Sequence, residues 1–208
     1  MVDIHLAQDR LQDARVAAQQ AIAIRQESQA QAEVGRSQVH LAKVALEEGK
    51  AAEGEQLTRQ AAPVFEQQKM AGDASECAAV LARALLTQSR LDDAKVAADK
   101  ALFFAHQIVD RSSNFAAALS AAEVDLARGK AAEARKALEA VLAEAASHGY
   151  LGFEYQARLD LGKVELESGN RATGRRRLQQ LQEDARGKSF LLIARKSKAA
   201  LNASAHPL

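Results

Sequence analysis

Tryptophan is absent from this sequence, cysteine occurs once, at Cys77, and proline stands only at Pro63 and Pro207. A lone cysteine excludes an intramolecular disulfide and fits a reducing, cytoplasmic compartment. Aromatic residues make up 4% of the chain while apolar residues make up 48%, so the core must be built mainly from Ala and Leu. Such a core suits closely packed helices and suits a sandwich or barrel poorly, because strands favour β-branched and aromatic residues. No apolar run is long enough to span a membrane. The basic-then-apolar pattern of a secretory signal is also missing, so the sequon at Asn202-Ala203-Ser204 is read as coincidence. A net charge of +1 gives no bulk attraction to a polyanion, and nucleic acid is not an expected partner.

Catalytic signatures are missing as well. The chain has no His-Glu-x-x-His, no cysteine pair, no phosphate-binding loop and no Gly-x-Ser-x-Gly. Its histidines, at positions 5, 40, 106, 148 and 206, never fall four residues apart on one helix. Metal sites need several convergent ligands, so no metal or cofactor is implied and no enzymatic activity is expected. Cys77 has Glu76 and Ala78 as neighbours rather than a cation, which predicts an inert thiol.

A repeat is present instead. Turn centres recur every 40 residues at Asp9, Gly49, Ser89, Gly129 and Gly169. Before each stands a leucine, at Leu6, Leu46, Leu86, Leu126 and Leu166. Two further columns hold mostly small residues: Val2, Ala42, Ala82, Ala122 and Gly162, then Ala14, Gly54, Ala94, Ala134 and Gly174. Three columns in one phase make a repeat the default reading. Glycine or aspartate at the turn reaches the left-handed conformation that ends a helix. Small residues on either side let two helices approach closely where they cross. The leucines should be buried, with Leu6 the most exposed because its repeat is incomplete.

The motif of Leu-Ala, six residues, Gly, four residues and a small residue is carried by Leu41-Ala42…Gly49…Gly54, Leu81-Ala82…Ser89…Ala94, Ala121-Ala122…Gly129…Ala134 and Leu161-Gly162…Gly169…Gly174. It resembles the tetratricopeptide repeat. The resemblance covers about residues 2 to 186, although the repeat is longer than the usual 34 residues or so and lacks the family's large aromatics and its proline. The period alone suits HEAT or armadillo repeats; the small columns flanking a tight turn favour the tetratricopeptide reading. Longer Ala-rich variants are similar to the helical-repeat regions of bacterial signalling kinases and transcription regulators.

The expected architecture is therefore an all-α superhelix of antiparallel helix pairs over residues 1–208: a truncated first repeat at 1–28, repeats at about 29–70, 71–110, 111–149 and 150–186, and a capping helix at 188–203. Met1 falls by phase within a first helix, as in a piece cut from a longer protein. The linkers are placed near Gln29, Gly72-Asp73, Ser112-Ser113 and Gly149, and Pro63 is expected to kink or break its helix between about residues 59 and 64.

In tetratricopeptide stacks the first helices line a concave groove. The resemblance therefore sets Lys43, Arg83, Glu123 and Lys163 as a ladder along it, about 20 Å apart, with His40 nearby. Three cations there could grip an acidic segment or a carboxylate, and a merely solvated row is the alternative. The basic stretch between Arg171 and Lys198 reads as a solvated cap, since Arg175, Arg176 and Arg177 radiate around a helix. The expected function is a scaffold for a protein or peptide partner, or else a sensory segment of a larger signalling protein.

Overall fold

A computed structural model describes residues 1–204, and among them every regular element is an α-helix. The helices are α1 (Val2–Ala7), α2 (Leu11–Glu27), α3 (Gln31–Glu47), α4 (Ala51–Gln67), α5 (Ala71–Thr87), α6 (Leu91–Ala105), α7 (Arg111–Ala127), α8 (Ala131–Ser147), α9 (Leu151–Glu167), α10 (Arg171–Gly187) and α11 (Leu191–Ala203). None is long and apolar enough to cross a membrane. Pro207 and His206 lie outside the described residues.

The turns repeat at half the spacing expected. A residue with positive φ stands at Asp9, Gln29, Gly49, Lys69, Ser89, Gly129, Gly149, Gly169 and Ser189. Turns within repeats and turns between them therefore share one geometry. At Gly49 the amide donates to Leu46 O at 3.1 Å and the next amide, of Lys50, donates to Ala45 O at 2.8 Å. These two bonds satisfy carbonyls that a helix end would leave bare. The series skips Val109, whose β-branched side chain opposes positive φ. There α6 stops early, at Ala105, and α7 starts from a side-chain cap in which Ser113 N donates to Asp110 Oδ2 at 2.7 Å. Two expected linkers are in fact first helical turns. Gly72 and Asp73 belong to α5, entered through the left-handed Lys69, and Ser112 and Ser113 belong to α7. An acidic residue such as Asp73 suits the positive end of a helix dipole.

The small columns meet as the crossing argument requires. A Cβ added at Gly54 would stand 3.4 Å from Ala42 O, and one at Gly174 would stand 2.8 Å from Gly162 O. Apolar packing is organised in threes. Leu6, Ala14 and Val44 join α1, α2 and α3; Val39, Phe65 and Cys77 join α3, α4 and α5; Leu85, Ala97 and Val124 join α5, α6 and α7. Phe115, Leu138 and Leu161 join α7, α8 and α9, and Leu159, Leu181 and Ile193 join α9, α10 and α11. Full burial of a side chain such as Phe65 or Leu181 stabilises the fold by about 1.5–3 kcal/mol.

Two sequence expectations are corrected here. Helix α4 runs through Pro63 without a break. Pro63 is exposed, so its ring and the Arg59 carbonyl it leaves without a donor face solvent. The leucine column is half-buried at Leu46, Leu86, Leu126 and Leu166, whereas Leu6 is the buried member at 7% exposure. The four later leucines each pack against a core cluster with one side, and Leu46, Leu86 and Leu126 turn the other toward the interior cavity described below.

Odd-numbered helices form an inner layer and even-numbered helices an outer one. Each inner helix touches the next, α1 to α3 and onward to α11, whereas no two outer helices touch among the described residues. Helix α11 then touches α1, so the inner helices close a cycle of six. Arg195 Nε donates to Asp9 Oδ2 at 2.8 Å and Lys196 Nζ donates to Glu47 Oε1 at 2.5 Å across that closure. Lys196 is an early residue of α11 and Glu47 is the last of α3. By repeat phase their levels differ by eleven residues, so the ends are offset along the axis by about 16 Å, as in a lock-washer. The helix expected only to cap the stack instead completes its turn.

Candidate partner-binding channel

Six cylinders in a ring enclose a space about as wide as one of them, roughly 10 Å for helices with their side chains. That space holds two adjoining cavities of 390 and 330 Å³. Arg83 and Glu123 line both and form a waist, with Arg83 Nε 3.1 Å from Glu123 Oε2. The larger cavity has an apolar floor of Leu46, Leu86, Leu126 and Leu138 and a polar rim that includes Glu47, Asp160, Lys163, Glu167 and Lys196. The smaller is lined by Asp3, Lys43, Glu76, Phe153 and Gln156 among others.

Lys43, Arg83, Glu123 and Lys163 all project into this channel. His40 does not. It lines a separate cavity between α1, α2 and α3, with Nδ1 3.4 Å from Asp3 Oδ1. The expected ladder spacing of about 20 Å is overturned, because Arg83 reaches Glu123 directly and also lies 3.7 Å from Glu47. Counting two helix diameters per repeat was the error: the outer helices sit in the other layer, and inner neighbours pack directly, at about 8–10 Å between axes.

The cations are already occupied. Lys43 pairs with Glu76 and Asp3, Arg83 with Glu123 and Glu47, and Lys163 with Asp160 at 2.8 Å. Burial alone would lower the Lys43 and Lys163 ammonium groups, but Glu76 and Asp3 raise the first and Asp160 and Glu123 raise the second. Arg83 is raised chiefly by Glu123. Burial would raise Glu47, yet Lys196 and Arg83 hold it below the usual carboxylate range. Lys196 goes the other way: burial and the nearby Arg83 outweigh Glu47 and pull it below the usual lysine range. Glu167 faces the channel with no ion-pair partner among the described residues, and burial raises it.

Asp3, Glu47, Asp160, Glu167 and Lys196 were not singled out in the sequence. Four of them were within reach of it. Asp3 is one period before Lys43, and Asp160 lies three residues before Lys163. Glu47 and Glu167 lie four residues after the ladder positions, and residues three or four apart share a helix face. Lys196 carried no such signal, because its place in the channel depends on ring closure. Away from the channel, Arg177 holds the buried Glu165 through bonds of 2.9 and 2.8 Å, Arg175 donates to Ser204, and Arg176 is exposed. The three arginines radiate as expected. Cys77 is buried and its thiol is pushed up to about 12, chiefly by desolvation, which leaves it inert.

No protein-family model matches the chain, and no curated protein matches it in sequence. Solved structures do. A Rap protein complexed with competence and sporulation factor superposes with a TM-score of 0.78 at 14% identity, over 98% of this chain. The chain spans 62% of the length of that Rap chain. The nearly identical TPR-like repeats of a kinesin light chain from Podosopora anserina superpose with a TM-score of 0.56 at 18% identity, covering 90% of this chain and 92% of that one. With its paired helices, recurrent turns and small-residue crossings, the chain has the fold of a tetratricopeptide-like α-solenoid.

Proposed function

We propose that the protein is a binding scaffold that takes a peptide, or an extended segment of a partner protein, into its axial channel. The observation that carries this reading is the channel itself: an inner ring about one helix wide, floored by half-buried leucines and rimmed by polar groups. Ligand sites combine an apolar lining with a few placed polar groups in this way. The similar Rap protein is complexed with competence and sporulation factor, which supports capture of a ligand by this architecture.

Charge bears on the class of ligand. An acidic partner gripped by Lys43, Arg83 and Lys163 would have to displace Glu76, Glu123 and Asp160 from them. The walls of the two cavities carry Asp3, Glu47, Glu76, Glu123, Asp160 and Glu167 against Lys43, Arg83, Lys163 and Lys196. Six acids against four bases favour a segment of mixed or net positive charge over an acidic one.

A photo-crosslinking residue at Thr87, which faces the channel, tests the reading in cells of the source organism. A recurrent cross-linked protein segment is expected, and it should be lost when Ala127, an exposed residue also in the channel wall, becomes Trp. Unselective cross-linking, or cross-links that persist with the channel filled, would sink it. A second reading, a sensory segment of a larger signalling protein, draws on the Rap chain's greater length. Limited proteolysis of the full gene product, with and without the captured segment, would separate the two.

A further inference from the structure

We infer that the ring opens at the seam between α1 and α11, so that this seam is a side gate to the axial channel. Five neighbouring pairs of inner helices are each joined by a shared apolar cluster that also includes the outer helix between them. The sixth pair, α11 and α1, has no outer helix between its members among the described residues. Among the described residues no apolar cluster crosses from one to the other.

Polar contacts hold the seam instead. Arg195 meets Asp9 with side chains 47% and 24% exposed, and Lys196 meets Glu47. The first pair is exposed, so it contributes little and is screened by salt; the second, with side chains 22% and 11% exposed, is screened less and is removed by substitution of Lys196. The lock-washer offset also limits how much of α11 can lie along α1. A ring of six equal contacts would have no preferred opening. This one has five apolar joints and one polar joint, and the polar joint separates first.

The seam lies beside the proposed site. Lys196 is at once a seam residue and a channel-wall residue, and Glu47 pairs with both Lys196 and Arg83 at the waist. Opening the seam therefore exposes the channel along its side. An internal segment of a partner could then enter without threading from an end. This step rests on the channel being the binding site, but its test needs no ligand.

Spin labels at Arg10 and Lys198, both exposed, report the seam distance; labels at Lys130 and Asn170, also exposed, report a joint with an apolar cluster. Cys77 is replaced by Ala in every variant. In the full chain, raising the salt or introducing Arg195→Met with Lys196→Met should increase the long-distance population of the seam pair several-fold and leave the other pair unchanged. An Ala116→Cys variant, at a half-buried position of the channel wall, should in parallel react several-fold faster with a polyethylene-glycol maleimide, with the small reagent N-ethylmaleimide as the reference. Circular dichroism checks that each variant keeps its helices. A single narrow seam distance, insensitive to salt and to both substitutions, would overturn the gate. So would seam opening without faster labelling at Ala116→Cys. Failure on either count leaves ligand capture, tested by cross-linking, to stand or fall separately.

Discussion

At the residue scale, one column of small residues yields opposite predictions. Gly54 and Gly174 occupy the same phase, yet a Cβ at Gly54 finds its nearest atom at 3.4 Å, whereas at Gly174 it meets backbone at 2.8 and 3.0 Å. Gly54→Ala should stabilise the protein by up to about 1 kcal/mol, the helix-propensity difference. Gly174→Ala should destabilise it by about 1–3 kcal/mol, because backbone cannot move aside as a flexible side chain can. Urea denaturation of both variants checks the contrast, and equal effects would show that the crossing distances differ from those described. Acid sensitivity is a second residue-scale outcome. Arg15 holds Glu48 and Glu53 through bonds of 2.7 to 3.0 Å, and both carboxylates lie below their ordinary value of 4.5. A carboxylate depressed in the folded state contributes stability that is full above the unfolded pKa and lost as pH falls through the folded one. The melting temperature should therefore fall as pH drops below about 4.5, and Glu48→Gln should flatten that fall. The ladder of Lys43, Arg83, Glu123 and Lys163 was legible at this scale because a fixed period puts one phase on one face. Asp160, three residues before Lys163 on its own helix, was within reach of the same argument, but the pairings of Glu76 with Lys43 and of Glu47 with Arg83 were not, since they form only once inner helices pack side by side.

Helices were legible in the sequence because glycines and the leucine column mark their ends, and errors fell where those marks fail. Lys69 takes the left-handed turn without glycine, so the start of α5 carries no composition signal. The glycine at Gly72, which resembled a linker, lies inside a helix. Position 109 is the reverse case, where a β-branched residue removes a turn that the period predicts and shortens α6. Pro63 shows how exposure moderates a breaker. Its missing donor lies on the solvent side of α4, so water satisfies the freed carbonyl and the helix continues. The residual cost is removable. Pro63→Ala restores an N–H and should raise stability by up to about 3 kcal/mol, the difference between the two residues inside a helix. Calorimetry reads this as a higher melting temperature. An unchanged melting temperature would mean that the unfolded chain, stiffened by proline, offsets the gain.

At the scale of the whole molecule, closure changes how the repeats communicate. An open solenoid is quasi-one-dimensional: each repeat contacts only its neighbours, and a change at one end is felt one or two repeats away. In this chain Arg195 touches Asp9 and Lys196 touches Glu47, so the last helix supports the first and third across nearly the whole sequence. No local pattern encodes such a contact. It follows from the small per-repeat rotation that packed columns such as Ala42 with Gly54 impose, accumulated over the array. The consequence is testable by native-state hydrogen exchange. Seam pairs worth about 1 kcal/mol correspond to roughly five-fold in a local opening equilibrium. Arg195→Met with Lys196→Met should therefore speed amide exchange in α1 and α2 by about that factor, while α6, α7 and α8 on the far side of the ring keep their protection. Exchange that changed only in α10 and α11 would describe an open array whose ends meet without supporting each other. Exchange that rose uniformly would mean that the substitutions destabilise the entire fold. Faster exchange at both ends of the chain, in α1 and α2 as well as α11, with the far side protected, is the signature of a ring with one weak joint.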